Sequence, residues 1–404
     1  MENAPAFTRR FTWNIENNAL SQALAARRAS GLPVLDLTES NPTRAGFAWA
    51  PDALAQALTA PANTAYEPEP RGLAATRQHV ADYYRERGAA VSPEQIHLTA
   101  STSEGYGWVL KLLTNPGDAV LVPTPSYPLL QFLAALECVG TVPYPLAHDN
   151  GRWLVDAAAL EAAVTPATRA IFCVSPNNPT GSVLDGTDRA VLRDVARRHR
   201  LALVVDEVFL DFPNTGDATN GAAPVASTWA QEDSVPLFVL SGLSKVALLP
   251  QVKLGWLVTA GPAHWRAEAL ARLDFIADTY LSVGAPVQNA AAALFAQSGE
   301  ARAALLRRVA ANERTLRAWC AASAHGVRLL PREAGWYALV TLPRGVDEEA
   351  VALDLVRRDG VAVHPGYFYD MPERMGPHWV ISLIAREADL AASVPSLEQA
   401  LRRH

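Results

Sequence analysis

Cysteine is scarce in this chain: three in 404 residues, Cys138, Cys173 and Cys320, widely spaced and without CxxC or Cys/His ligand patterns. That scarcity argues against a disulfide framework and a zinc site, no metal is expected, and a reducing cytoplasm fits best. Runs of basic residues are missing too. The formal charge of −6 is scattered along the chain, so nucleic acid is not an expected partner. No stretch reaches the roughly 18 uninterrupted apolar residues of a membrane-spanning helix, and MENAPAFTRRFTWNIENNAL lacks the apolar h-region of a signal peptide. A membrane partner is therefore not expected either. Internal repeats are absent, and the Ala-rich stretches keep an apolar periodicity that a disordered tract would lack.

Half of the residues are apolar, and the length exceeds one ordinary core, so a large core with a second, smaller unit is expected. Between about residues 95 and 260, seven short apolar runs alternate with helical patterns: IHLTA, AVLVPTP, TVPYPL, AIFCVSP, LALVVDEVF, PLFVLSG and LGWLVTA. Runs apolar at successive positions read as strands buried on both faces. Glu104 to Leu113 and Asp188 to His199 read as amphipathic helices between them. The expected fold class is α/β: a large domain over 45–285 with a mostly parallel, doubly wound sheet covered by helices. After residue 286 the pattern becomes a long helix (Asn289 to Cys320), strand-like VRLLP and GWYALVTL, a helix at Asp347 to Arg358, and strand-like WVISLI. This predicts a smaller α+β domain over 286–404, joined in space by the N-terminal segment 1–44.

Four segments carry chemistry. SGLSK puts Lys245 in a Ser/Gly-rich turn just after an apolar run, where ligands bind in an open α/β sheet; taken alone, such a lysine is most often a solvated amine. LALVVDEVF ends a strand on Asp206, a position that suits a turn or cap residue as well as a buried carboxylate facing a cation. AIFCVSPNNPTG follows a strand with Asn177, Asn178 and a good turn. IHLTASTSEGYG leads from a strand through Ser101, Thr102 and Ser103 into a helix. Small hydroxyl residues there are caps, and the free amides beside them form an anion site.

Six segments in this order, YEPEPRG (66–72), STSEG (101–105), PTPSYP (123–128), SPNNPTG (175–181), DEVF (206–209) and SGLSK (241–245), make the chain resemble the class I/II aminotransferases. These are fold-type I enzymes that use pyridoxal 5'-phosphate (PLP), and the resemblance covers nearly the whole chain. It implies that the large domain binds PLP, that Lys245 carries the cofactor as a Schiff base and shuttles the proton, and that Asp206 pairs with the ring nitrogen. It further implies that Asn178 contacts the phenolic oxygen, that Tyr127 stacks on the ring, and that Ser101, Thr102, Ser103, Ser244 and Lys253 hold the phosphate. Tyr66 matches a tyrosine that reaches the cofactor of a neighbouring subunit, which implies a homodimer with shared active sites.

Four positions depart from the family pattern. Phe209 stands where most members have a tyrosine bonded to the phenolic oxygen. Lys253 stands for an arginine that grips the phosphate with two parallel bonds, and Gly242 for a phosphate-binding serine; a lysine supplies charge without the planar fork. Val380 replaces the arginine that clamps the substrate carboxylate. Arg44, His364 and Tyr367 are the candidate substitutes, whereas Arg386 lies about 20 Å along the strand, too far to serve. The expected activity is transfer of an amino group from an amino acid to a 2-oxo acid. The alternatives are β-elimination, decarboxylation or oxidative and cyclising amino-acid chemistry on the same cofactor, and a PLP-binding protein without catalysis.

Overall fold

The computed structural model describes residues 7–10, 18–47, 49–59, 61–64, 66, 68–214, 227–281 and 283–404. Parts of the 1–44 segment, residues 1–6 and 11–17, lie outside that description.

The large sheet has eight strands in the order Ile96–Thr99, Gly255–Ala260, Leu237–Gly242, Ala202–Asp206, Thr168–Val174, Ala119–Thr124, Gly140–Asp149 and Arg152–Val155. Six run the same way; Gly255–Ala260 and Arg152–Val155 run against their neighbours. The strands Ala202–Asp206, Leu237–Gly242 and Gly255–Ala260 are buried at every position, which is why each reads as an unbroken apolar run. All seven runs named from the sequence are strands of this sheet. One reading needs correction: TVPYPL is not buried on both faces. Its strand, Gly140–Asp149, is second from the edge, and only Tyr144 and Leu146 of it are buried. The eighth strand, Arg152–Val155, is a short alternating segment that sequence periodicity did not expose.

Helices Thr102–Leu113 and Gly186–His199 cover the sheet, each started by a side-chain cap: Ser101 accepts from the Glu104 amide in one and leaves the amides before that one open, and Asp185 with Asp188 form a reciprocal cap in the other. A 38-residue helix, Ala285–Ala322, leaves the sheet region and touches both Ala74–Arg85 and the last helix, Glu387–Arg403. Beyond it lies a four-stranded antiparallel arrangement of Arg328–Leu329, Tyr337–Thr341, His378–Ser382 and His364–Pro365. The helix expected over 347–358 is Glu348–Asp354, extended by a π-helical turn, Leu355–Asp359. Near the N-terminus, Leu35–Asp36 pairs in parallel with Val361–Ala362, and helix Ala19–Ala29 packs on Glu348–Asp354 and Leu355–Asp359.

No helix among the described residues is long and apolar enough to cross a membrane. No group of three or more His, Cys, Asp or Glu among them could hold a metal ion.

Candidate active site

The parallel strands end on one cavity of about 330 Å³. Thr124, Val174, Asp206 and Gly242, each at the carboxyl end of its strand, all line it, as the topology of an open α/β sheet dictates.

Lys245 sits on the short helix Leu243–Val246 that follows the strand ending at Gly242. Its Nζ lies 4.8 Å from the ring centre of Trp336 and 5.6 Å from that of Phe209. Desolvation by these apolar walls lowers its pKa to about 8, and the charge of Asp206 opposes the shift. About a tenth of this amine is therefore neutral and nucleophilic at pH 7, against well under a thousandth for an ordinary lysine.

Asp206 is buried, and that burial raises its pKa. Two donors hold it in place: the Tyr106 hydroxyl gives a bond of 2.8 Å to Oδ2, and the Val208 amide one of 2.9 Å to Oδ1. Tyr106 is one helical turn beyond Ser103, which aims both into the same cavity. Nothing in the sequence pattern marked Tyr106, because its partner is a hundred residues away.

Asn177 and Asn178 divide the work of their turn. Asn177 Oδ1 accepts from the Thr180 hydroxyl at 3.0 Å, and the Asn177 amide bonds the Ser182 carbonyl at 2.9 Å. Gly181 completes the turn at φ +67°, where a Cβ would fall 2.5 Å from the Ala334 carbonyl. Asn178 is left for the cavity, buried, with its Oδ1 lacking a partner.

At the other end, Ser101, Thr102 and Ser103 line the cavity with Ser244 and Lys253. Ser101 also caps its helix, accepting from the Glu104 amide at 3.2 Å, so the cap and the cavity wall are one residue. The first amides of that helix have no intrahelical partner and sit at the positive end of its dipole. Strand Gly255–Ala260 comes so near that a Cβ on Gly255 would lie 2.9 Å from Thr99 Oγ1 and 3.1 Å from the Thr102 nitrogen.

Tyr127 and Phe209 line the cavity as well. Phe209 is packed edge-to-face on Trp336, with ring centres 4.9 Å apart. Beside it, Tyr337 lines the cavity; burial raises its phenol to about 12, while contacts to Ser40 and Asn178 oppose the rise. Tyr337 sits in the strand-like GWYALVTL, and its apolar pattern hid a cavity hydroxyl.

The structure does not bring the remaining candidates to this cavity. Tyr66 is 77% exposed and lies away from the lining. Arg44 points to Glu39, 3.1 Å away, and it is Ser40 of that loop that lines the cavity. His364 bonds the Tyr369 hydroxyl at 3.2 Å, and Tyr367 bonds Glu349 at 3.1 Å. His364 is therefore engaged within its own turn, and Tyr367 with the helix Glu348–Asp354. Val380 is buried between Leu339 and His364 in the same sheet.

A family model described as aminotransferase class I and II matches residues 33–379. The chain is 30% identical over 262 residues to a glutamate-pyruvate aminotransferase of Escherichia coli, a match that takes in 64% of this chain and 63% of that protein. The chain thus spans under two thirds of that relative's length. It is 32% identical over 359 residues to an arginine–pyruvate transaminase of Pseudomonas aeruginosa, covering 88% and 86%. In fold, it superposes on an alanine aminotransferase from Pyrococcus furiosus with a TM-score of 0.86 at 20% identity, over 99% of this chain and 100% of that one.

Proposed function

The chain belongs to the class I and II aminotransferases, a PLP-dependent family, and from that premise we propose that it moves an amino group from an amino acid to a 2-oxo acid, with Lys245 holding the cofactor. One observation carries this reading: a half-buried amine of lowered pKa and a buried carboxylate, Lys245 and Asp206, line the same cavity, with an open helix N-terminus at its other end.

The residues present fit PLP. The buried Asn178 side chain lines the cavity and its Nδ2 can donate to a phenolic oxygen, Asp206 is a buried carboxylate that would face a ring cation, and the amides at Thr102 and Ser103 with Lys253 offer an anion cradle. When bound, the cofactor supplies an electron sink for the pair left behind by a substrate α-proton. The chain does the rest. Asp206, held by Tyr106 and the Val208 amide, would keep the ring nitrogen protonated; Tyr127 would pack on the ring, and Asn178 would donate to its phenolic oxygen. Lys245 Nζ accepts the α-proton and returns it, a role that suits an amine whose pKa is near 8. With Val380 away from the cavity, the Ser40 and Tyr337 hydroxyls meet the substrate carboxylate.

Amino transfer is favoured over elimination or decarboxylation because relatives across the family are named as aminotransferases. A homodimer with Tyr66 reaching the partner's cofactor is part of the same reading. It is supported by the large apolar side chains of Tyr66, Phe275, Tyr280 and Leu281, each at least half exposed on this subunit.

The test is to run each half of the reaction alone. An amino acid added to the loaded enzyme should yield one equivalent of its 2-oxo acid and the aminated cofactor, and an added 2-oxo acid should reverse the spectrum. Release of carbon dioxide, or of ammonia without the aminated cofactor, would instead support the divergent chemistry.

A further inference from the structure

One charged residue in the cavity has no part in the roles above. Asp370 lines it together with Ser126 and Tyr127. Its side chain is exposed at the cavity mouth, yet the surrounding protein desolvates it enough to raise its pKa, and no hydrogen bond or opposite charge among the described residues counters that rise.

The carboxylate is presented from a fixed turn. Asp370 ends the short helical turn Gly366–Tyr369 in the left-handed region, φ 53° and ψ 43°, and its amide bonds the Tyr367 carbonyl at 3.1 Å. The preceding residue, Tyr369, is buried, and its carbonyl accepts from the Ser126 amide at 3.0 Å. That bond ties the Asp370 turn to the segment that carries Tyr127.

The charges that line the cavity are unevenly arranged. Lys245 and Lys253 are its cations, and both stand on the cofactor side. The third lysine of the chain, Lys111, pairs with Glu137, and no arginine lines the cavity. The residues outside the description contain neither lysine nor arginine, so they add no cation from this chain. A substrate side chain that reaches the mouth therefore meets an unpaired carboxylate. A cation there gains a charge-assisted bond, a neutral group leaves the carboxylate unpaired, and an acid is repelled.

We propose that Asp370 selects the amino donor, receiving the side-chain ammonium or guanidinium of a basic amino acid while the α-amino group is at Lys245. This rests on the amino-transfer reading above and adds the class of donor.

Arginine and citrulline nearly match in shape and differ in charge, so the pair isolates the effect. With the loaded wild-type enzyme, kcat/KM for arginine should exceed that for citrulline by about tenfold, the scale of one partly desolvated charge pair. In Asp370→Asn the ratio should fall to about one; asparagine tolerates the left-handed backbone, so the turn is kept. Calorimetric binding of the deamino analogues of the two amino acids gives a readout without turnover and should show the same preference and the same loss. If no amino acid yields a 2-oxo acid but the deamino pair still separates in an Asp370-dependent way, amino transfer fails and the role of Asp370 stands. A ratio near one in the wild type by both readouts, or a ratio unchanged in Asp370→Asn, overturns it.

Discussion

At the scale of single residues, the chemistry depends on what surrounds Lys245. Its amine is desolvated by Trp336 and Phe209, and burial of an ammonium favours the neutral form. In the apoprotein, the rate of covalent PLP uptake should thus rise with pH through a midpoint near 8, well below the ordinary lysine value of about 10.4. Stopped-flow absorbance at a series of pH values measures this, and a midpoint at or above the ordinary value would mean that the amine is solvated. The sequence places Lys245, Asp206 and Asn178 at or just beyond strand ends that face the cavity, and the roles proposed for them rest on the ordered family segments, since each strand-end signal alone is weak. The places of Tyr106, Tyr337 and Asp370 were not legible in the sequence, because only the folded chain assembles the cavity wall that they line. Arg44 illustrates the reverse case. Its charge and loop suggested a substrate role, but Glu39, five residues earlier in the same loop, is its partner.

At the scale of elements, the helix Thr102–Leu113 and the strand Gly255–Ala260 form one side of the cavity, and their closeness depends on a missing side chain. An added Cβ at residue 255 would stand 3.0 Å from the Ser101 carbonyl carbon as well as crowding Thr99 and Thr102. Gly255→Ala should therefore push the helix start outward, costing about 1–3 kcal/mol as overpacking does. Because the shift falls on the amides of the anion cradle, PLP affinity should drop about tenfold or more. Equilibrium dialysis with a thermal melt reads both, and unchanged affinity would detach this helix end from cofactor binding. The strands themselves were readable because burial on both faces writes an unbroken apolar run. The edge pair Gly140–Asp149 and Arg152–Val155 was read poorly for the opposite reason: most of its residues are only partly buried or exposed.

At the scale of the whole molecule, the shared active site proposed above would let two defective subunits repair each other. Tyr66→Phe keeps Lys245, and Lys245→Ala keeps Tyr66, so one of the two sites in a mixed dimer has both native residues. Refolding the variants together at limiting PLP should restore up to about a quarter of wild-type activity, from half the dimers with one good site each. No recovery would mean that each subunit's site is self-contained. The central claim, that Lys245 carries the cofactor, has a more direct test, made simple by a chain with three lysines, Lys111, Lys245 and Lys253. The loaded protein is reduced with borohydride, digested and mapped by mass spectrometry. The expected result is one pyridoxyl-phosphate adduct per chain, on Lys245, and none on Lys245→Ala. An adduct on Lys111 or Lys253, or one that persists in the Lys245→Ala protein, would contradict it.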